Sequence, residues 1–153
     1  MDQKKLIKFP IKAALEAGDA ILEVYNNSQD IEIITKDDNS PLTRADQASN
    51  EVINSYLSRT GIPIISEENK QIPYEQRKDW DSCWIVDPLD GTKEFIKRNG
   101  EFTVNIALCE DGIPIFGVIY VPVSKELYYT DPSDKKAYKT VIAENPDLEA
   151  ILF

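Results

Sequence analysis

The chain has 153 residues, 42% of them hydrophobic and 29% charged, which is the composition of a single globular domain. Its net charge of −10 argues against a protein that binds nucleic acid through a basic face. Because the chain contains no histidine, it has no Ser-His-Asp triad, no Cys-His pair and no histidine-ligated zinc site. Any acid–base or metal chemistry must therefore use carboxylates, Thr, Lys or Tyr.

Two observations bear on where the protein works. No apolar run approaches the roughly eighteen residues that a membrane span needs, and the N-terminus lacks the apolar core of a signal peptide. Both cysteines, Cys83 and Cys109, lie in apolar runs. We therefore expect a cytoplasmic protein without a transmembrane segment, in which the two cysteines are reduced rather than joined as a disulfide.

The first part of the chain predicts two amphipathic helices. Residues 3–25 repeat apolar side chains at helical spacing, although Pro10 predicts a kink or a later start. A short strand is predicted over residues 31–36 and a turn over residues 37–41. The second helix is predicted over residues 43–59, and its expected buried residues are Ala48, Val52, Ile53, Tyr56 and Leu57.

The rest of the chain predicts strands joined by hairpins. A strand is expected over residues 62–66, a long polar loop over 67–82 and a buried strand over Cys83–Val86. Asp111-Gly112 is a hairpin signal. Further strands are predicted over residues 103–109, 115–121, 127–130 and 137–141, with Val104, Ile106 and Leu108 on one face of the first. This order predicts an α+β domain with two N-terminal helices packed on a mainly antiparallel sheet.

The most specific segment is W-I-V-D-P-L-D-G-T-K-E-F, residues 84–95. Asp87 and Asp90 follow a strand that is apolar up to its end, which is where a fold can hold charged groups at a cleft. Two carboxylates this close repel each other unless protons or a cation lie between them. Hard divalent cations such as Mg²⁺ take oxygen ligands of this kind. The segment therefore indicates a metal site.

The residues that frame these aspartates fit the same interpretation. Pro88 fixes the backbone between them, and Gly91 allows a ligand to approach the main chain. The amides of Gly91 and Thr92 could face a phosphate oxygen if a helix starts there, and the Thr92 hydroxyl could orient a water molecule. On spacing alone, a tight turn with Asp87 as its cap explains the segment equally well.

Two more acidic segments precede this one. Glu67 and Glu68 end the preceding predicted strand, and Asp46 lies in the first turn of the second predicted helix. Taken singly, the two glutamates are typical of a solvated loop, and Asp46 is typical of a residue that complements the helix dipole. Together with Asp87 and Asp90, they favour a cluster of carboxylates around divalent cations.

Together these motifs resemble those of a known family. D-P-L-D-G-T at residues 87–92 resembles a signature of the inositol monophosphatase superfamily, whose members are Mg²⁺-dependent, lithium-sensitive phosphatases. S-E-E at residues 66–68 and D-N-S-P-L-T-R-A-D at residues 38–46 resemble two of its other motifs. The run over residues 87–108 is similar to one branch, the CysQ-type bacterial 3′(2′),5′-bisphosphate nucleotidases, because G-T-K-E-F replaces the G-T-T-N-F of the inositol branch.

This resemblance implies a fold and a reaction. The fold would be the N-terminal half of a layered α/β sandwich. The reaction would remove the 3′-phosphate of adenosine 3′,5′-bisphosphate, a phosphorylated nucleotide that sulfate assimilation leaves behind, with inositol monophosphate as the alternative substrate. The cofactors would be two or three Mg²⁺ ions, with Mn²⁺ as an alternative. The implied location is the cytoplasm, or a peripheral position at the inner membrane.

The resemblance also assigns roles to residues of this chain. The implied metal ligands are Glu67, Asp87, Asp90 and the carbonyl of Leu89, with Asp87 bridging two ions. The implied catalytic residues are Glu67 and Thr92, which position the attacking water, and Asp46, which holds a further ion or assists as a base. The implied substrate-binding residues are Glu67, Leu89, Asp90, Gly91 and Thr92. Lys93, Lys97 and Arg98 would bind a second phosphate or simply form a solvated basic face.

The chain departs from the family pattern in one respect. Family members continue into a second domain, which supplies another metal-binding aspartate from a W-D-x-x-A motif, and this chain contains no such motif. We therefore expect residues 1–153 to form the N-terminal metal-binding domain, with the C-terminal domain absent from this chain and catalysis impaired. An uncovered sheet face would then pair two copies as a homodimer. The alternative is a non-catalytic fragment that binds metal or phosphate, or self-associates.

Overall fold

Four helices and six strands are found in the described part of the chain, which in this computed structural model comprises residues 3–27, 40–144 and 146–147. The helices are α1 (Gln3–Asn27), α2 (Pro41–Leu57), α3 (Tyr74–Arg77) and α4 (Thr92–Lys97), and a 3₁₀ turn, Ser58–Thr60, follows α2. The strands are β1 (Ile64–Ser66), β2 (Ser82–Asp90), β3 (Thr103–Glu110), β4 (Ile113–Val121), β5 (Glu126–Asp131) and β6 (Lys136–Val141). The strand predicted over residues 31–36 and most of the turn over 37–41 lie outside the described residues.

The six strands form one sheet whose order follows the chain from β1 to β6. β1 and β2 are parallel, and every other neighbouring pair is antiparallel. Asp111 and Gly112, with φ angles of +49° and +75°, make the predicted hairpin between β3 and β4. The predicted α+β class and mainly antiparallel sheet are confirmed.

Helix α1 packs on α2 and on one face of the sheet. Its inward side chains, such as Ile11 and Ile21, are completely buried. A Cβ atom at Gly18 would lie 2.4 Å from a ring carbon of Tyr120 on β4, so the helix can approach the sheet only because this position lacks a side chain. Pro10 lies inside α1, and the predicted later start is therefore wrong. Burial of the apolar side chains around Pro10 offsets the hydrogen bond that its missing N–H cannot make.

Helix α2 begins two residues earlier than predicted, and its buried side includes polar residues that were not predicted. The Ser40 hydroxyl caps it by accepting a hydrogen bond of 3.0 Å from the backbone N–H of Thr43. Of the predicted buried residues, the structure buries Ile53 and Leu57 and leaves half-buried Ala48, Val52 and Tyr56. The polar residues Asp46 and Ser49 are buried instead. Burial of Ser49 costs little because its hydroxyl has a partner on β2, described below.

Two predictions between residues 67 and 90 need correction. The predicted loop over residues 67–82 contains the one-turn helix α3, which is too short to show a hydrophobic period. The strand predicted over Cys83–Val86 begins at Ser82 and continues to Asp90, through the whole D-P-L-D segment. Pro88 is tolerated there because the pairing with β3 is irregular at this point, as set out in the next subsection.

The two faces of the sheet differ in their surroundings. Val104, Ile106 and Leu108, which were predicted to share a face, are all buried on the side of the helices. The opposite side, which we call the open face, carries Ile85, Ala107, Gly117 and Ile119 on β2, β3 and β4. Ile85 and Ile119 are each 46% exposed. Cys83 and Cys109 face each other across β2 and β3 as free thiols, as predicted.

Candidate metal and phosphate site

A bulge in β2 explains the spacing of three residues between Asp87 and Asp90. Asp87 lies opposite Asn105 and Asp90 lies opposite Thr103. The two paired positions are therefore three residues apart on β2 but only two residues apart on β3. In a regular strand, residues three apart point to opposite faces, but the extra residue of a bulge cancels that alternation. The two carboxylates can therefore lie on the same side of the sheet. Pro88, at the bulge, has no N–H that a ladder partner would need.

Helix α2 holds the bulge in place. The buried Ser49 hydroxyl donates a hydrogen bond of 2.7 Å to the carbonyl oxygen of Pro88, which joins two segments 39 residues apart in the chain. Asp46 lies three residues before Ser49 and therefore on the same helical face. Its side chain is only 3% exposed. The Ser49 contact thus brings this face of α2 against the end of β2 that carries Asp87 and Asp90.

Helix α4 starts at Thr92, two residues after the second aspartate. Gly91 precedes the helix with φ +95°, and the N–H of Phe95 donates to its carbonyl oxygen at 2.9 Å. A Cβ atom at Gly91 would lie 3.2 Å from the Cα of Phe102, and a side chain at this φ would also be strained. Glycine is therefore required for α4 to begin here, with Thr92 as its exposed first residue.

Parallel pairing brings Glu67 to the same edge of the sheet. The N–H of Glu67 donates to the carbonyl oxygen of Val86 at 3.2 Å and so extends the β1–β2 pairing by one residue. Because the carboxyl ends of parallel strands meet at one edge, Glu67 lies beside Asp87. The turn after β1 is fixed by Asn50, whose Oδ1 accepts from the Ser66 hydroxyl at 2.6 Å and whose Nδ2 donates to Asn69 at 2.9 Å.

These four acidic residues, Asp46, Glu67, Asp87 and Asp90, form what we call the acid cluster. The pKa of Asp87 is raised from 3.8 to about 7, first by burial and then by the charges of Glu67 and Asp90, a hydrogen bond with Glu67, and the charge of Asp46. Among the described residues, the buried Oδ1 oxygen of Asp87 has no hydrogen-bond partner. The fold therefore holds like charges together around an unsatisfied oxygen.

Such a cluster fits a hard divalent cation. Its donors are carboxylate oxygens, which suit Mg²⁺ or Mn²⁺, and a cation would both offset the repulsion and give Asp87 Oδ1 a partner. In the part of the chain that the structure describes, no three Asp, Glu or Cys side chains already surround one common metal position. The Leu89 side chain is buried beside the two aspartates, and its carbonyl stays a predicted ligand.

Several residues around the cluster were not singled out from the sequence. They are Ser49, Asn50, Asn69 and Asn105, which orient the backbone or the side chains of the acidic residues. The signal that could have found Ser49 is a polar residue three positions from Asp46 on one helical face. Arg98 has a contact that the sequence did not indicate, because its guanidinium lies 4.1 Å from the centre of the Tyr25 ring and donates to the Tyr25 carbonyl at 2.9 Å. Arg98 therefore ties the end of α4 to α1.

Comparison with known proteins places these features in context. A model of the inositol monophosphatase family matches residues 2–143. A protein named 3′(2′),5′-bisphosphate nucleotidase CysQ from Salmonella typhimurium is 52% identical over 128 residues, which are 82% of this chain and 51% of that protein. The Escherichia coli K12 protein of the same name is 49% identical over the same shares of the two chains. The chain thus spans about half the length of the curated relatives that it matches.

Solved structures give the same result. The crystal structure of CysQ from Bacteroides thetaiotaomicron matches with a TM-score of 0.84 and 49% identity, over 95% of this chain and 54% of that one. An inositol monophosphatase from Anabaena matches with a TM-score of 0.72 and 25% identity, over 95% and 52% of the two chains.

None of the helices in the described residues is both long enough and apolar enough to cross a membrane.

Proposed function

The chain belongs to the inositol monophosphatase family, and on that premise we propose that its acid cluster binds divalent cations and serves the hydrolysis of a phosphate monoester. The observation that carries this proposal is the buried, partnerless oxygen of Asp87 among three further carboxylates. A buried carboxylate oxygen beside other carboxylates lowers the stability of the fold, and a bound cation would offset that cost. Two or three Mg²⁺ ions, or Mn²⁺, would supply positive charge against the phosphoryl oxygens.

The residues of the chain have separate tasks in this scheme. Asp87 holds the central position, with Glu67 and Asp90 on either side of it and the carbonyl of Leu89 as a further ligand. The amides of Gly91 and Thr92, at the start of α4, receive a phosphate oxygen.

Water attack completes the scheme. Thr92 and Glu67 orient the attacking water, and Glu67 or Asp46 accepts its proton. As the water oxygen bonds to phosphorus, the bond between phosphorus and the ester oxygen breaks, and the leaving oxygen takes up a proton from solvent. Positioning and charge neutralisation are the main sources of rate in phosphoryl transfer, so the fixed backbone around these residues matters more than any single proton transfer.

The substrate that we propose is adenosine 3′,5′-bisphosphate, with loss of the 3′-phosphate. Support comes from the run over residues 87–108 and from relatives about half identical to this chain that are named 3′(2′),5′-bisphosphate nucleotidase. The role would be nucleotide recycling in sulfate assimilation, with inhibition by lithium. The free thiols Cys83 and Cys109 agree with a cytoplasmic location.

Phosphate release with saturating Mg²⁺ tests this proposal. The assay compares adenosine 3′,5′-bisphosphate with inositol 1-phosphate, with and without lithium, on this chain and on a full-length relative. We expect the nucleotide to be preferred and lithium to inhibit. We also expect this chain to turn over more slowly than the full-length relative, because it spans about half of such a protein. A preference for inositol 1-phosphate would overturn the proposed substrate but not the metal site.

The open face supports a second candidate function, self-association. Ile85 and Ile119 are each 46% exposed, and Ala107 and Gly117 lie beside them on this side of the sheet, next to Asp87 and Asn105. Exposed apolar patches and sheet faces of this kind are typical of interaction surfaces. We propose that two copies of the chain pair through this face. Light scattering over a concentration series should show a dimer that Ile119→Glu dissociates, and a concentration-independent monomer would contradict the idea.

A further inference from the structure

A chain of hydrogen bonds leads from β3 to one member of the acid cluster. Asn105 donates from Nδ2 to Asp90 Oδ2 at 3.0 Å. The Thr103 hydroxyl donates to Oδ1 of the same asparagine, also at 3.0 Å. All three residues lie where β3 pairs with the bulged end of β2. The carboxylate of Asp90 is therefore held by a neighbouring strand and not by its own strand alone.

The direction of these bonds follows from the chemistry of the groups. An ionised carboxylate only accepts hydrogen bonds, so the amide nitrogen of Asn105 must face Asp90. The amide oxygen then faces Thr103, whose hydroxyl must donate. Thr103 thus fixes which way the amide of Asn105 is turned, and Asn105 in turn fixes which oxygen of Asp90 is left free for another ligand.

The bulge gives Asn105 a position between the two aspartates. By backbone register Asn105 lies opposite Asp87, yet its side chain bonds Asp90. Asp90 is exposed, and an exposed carboxylate that no neighbour holds would sample several rotamers. A donor from the next strand removes that freedom without adding a competing charge.

We propose that Asn105, oriented by Thr103, is a positioning residue that sets the Asp90 carboxylate for cation binding. This inference rests on the proposed function, since it assumes that the acid cluster binds divalent cations. Partners that orient a metal ligand in this way commonly change metal affinity by about 10- to 100-fold. Because Asn105 acts through one exposed carboxylate only, we expect the lower end of that range.

Calorimetric titration of the 153-residue chain with Mn²⁺ tests the proposal without an activity assay. Asn105→Leu keeps the volume of the side chain and removes the donor, and it should weaken Mn²⁺ binding roughly tenfold. Thr103→Val should weaken binding by a smaller factor, because Asn105 stays but can turn. Thr140→Val is the matched control, since Thr140 is a half-buried threonine on β6, three strands away from β3. It should leave the affinity unchanged.

A double-mutant cycle separates positioning from a general structural role. If Asn105 acts through Asp90, Asn105→Leu should cost much less Mn²⁺ affinity in an Asp90→Asn background than in the wild type. Equal losses in both backgrounds, or a lower unfolding temperature with unchanged affinity, would overturn the positioning role and leave the metal site standing. A wild-type chain that binds no Mn²⁺ at all would instead overturn the proposed metal site, and this role with it.

Discussion

Acidic side chains at the two ends of the sheet have opposite surroundings. At the end formed by β5 and β6, Glu126 lies 2.5 Å from the ammonium of Lys139, and Asp134, in the turn between these strands, accepts a hydrogen bond from Tyr138. The hydrogen bond from Lys139 lowers the pKa of Glu126, and the one from Tyr138 lowers the pKa of Asp134. At the acid cluster, burial and neighbouring carboxylates raise the pKa of Asp87 to about 7.

This difference shows where the carboxylates have cations or hydrogen-bond donors of the chain as partners and where they do not. The groups that shift the pKa of Glu126 include a cation and hydroxyl donors, so that end of the sheet is complete without a ligand. The groups that shift the pKa of Asp87 are burial and other acids. An arrangement that destabilises the isolated chain is expected at functional sites, where a ligand offsets the cost.

The largest expected effect comes from removing the central charge of the cluster. At pH 8, Asp87→Asn should weaken binding of Mg²⁺ or Mn²⁺ by at least about 100-fold, or about 2.7 kcal/mol. It should also raise the unfolding temperature of the metal-free chain, because the remaining acids lose a like-charged neighbour. Asp134→Asn, at the other end of the sheet, is the control. It should leave the metal affinity unchanged and should not raise the unfolding temperature. Equal affinities in wild type and Asp87→Asn, measured by calorimetry, would contradict the comparison.

The next largest effect concerns the contact that holds the bulge. Ser49→Ala should lower the free energy of unfolding by about 1–3 kcal/mol, because the carbonyl of Pro88 stays buried and loses its donor. Ser55→Ala is the matched control on the same helix, since the exposed Ser55 hydroxyl bonds only the carbonyl of Val52. Urea denaturation of both variants measures the difference. Equal losses from the two substitutions would show that α2 does not hold the bulge through this bond.

The change of folding stability with pH should have opposite signs for the acidic residues at the two ends of the sheet. Since the pKa of Asp87 in the folded chain is about 7 against an ordinary 3.8, the folded chain binds more protons than the unfolded chain between these values. The metal-free chain should therefore lose stability as pH rises from about 4 through 7, by about 1–2 kcal/mol after allowance for solvent screening. Lowered pKa values at Glu126 and Asp134 act in the opposite sense and cost stability only as pH falls below about 4.

Denaturation in the presence of a chelator at several pH values measures this dependence. Asp87→Asn should flatten the decline between pH 4 and 7, whereas Glu126→Gln should not. A wild-type stability that rises over the same interval would show that Asp87 is not held in its protonated form by the fold.

The smallest expected effect is at the exposed pair on β5 and β6. Lys139→Ala should leave metal affinity unchanged and shift the unfolding midpoint less than Ser49→Ala does, because solvent screens an exposed ion pair. Thermal unfolding and Mn²⁺ titration of the same sample give both values. If Lys139→Ala, which makes the net charge more negative, strengthened Mn²⁺ binding, cation affinity would reflect the overall charge of the chain and not a site.

Regular elements of this protein could be predicted from its sequence because their apolar residues repeat. The alternation of Val104, Ile106 and Leu108 identified β3, and the helical spacing of residues 3–25 identified α1. Helix α3 was missed because a single turn is too short to show apolar residues at repeated helical spacing. The buried face of α2 was predicted only in part, because apolar periodicity does not register a polar residue that finds its partner 39 residues away.

The candidate site was likewise predictable from the sequence only in part. The sequence showed that acidic residues end two predicted strands, and the structure brings Glu67 and Asp87 together through parallel pairing. It could not show why Asp87 and Asp90 share a face, because the bulge depends on the register between β2 and β3. Asn105 carried no signal for the same reason, since its contact with Asp90 exists only once the two strands are paired.

The central claim is that the fold gathers the acid cluster for divalent cations, and a calorimetric titration with Mg²⁺ at pH 8 tests it most directly. The wild-type chain should bind with saturable heat, and Asp90→Asn, which keeps the shape of the side chain and removes its charge, should bind at least about tenfold more weakly, or about 1.4 kcal/mol. Asp134→Asn, at the opposite end of the sheet, should bind as the wild type does. Equal affinities for the wild type and Asp90→Asn, or no saturable heat from the wild type, would contradict the claim.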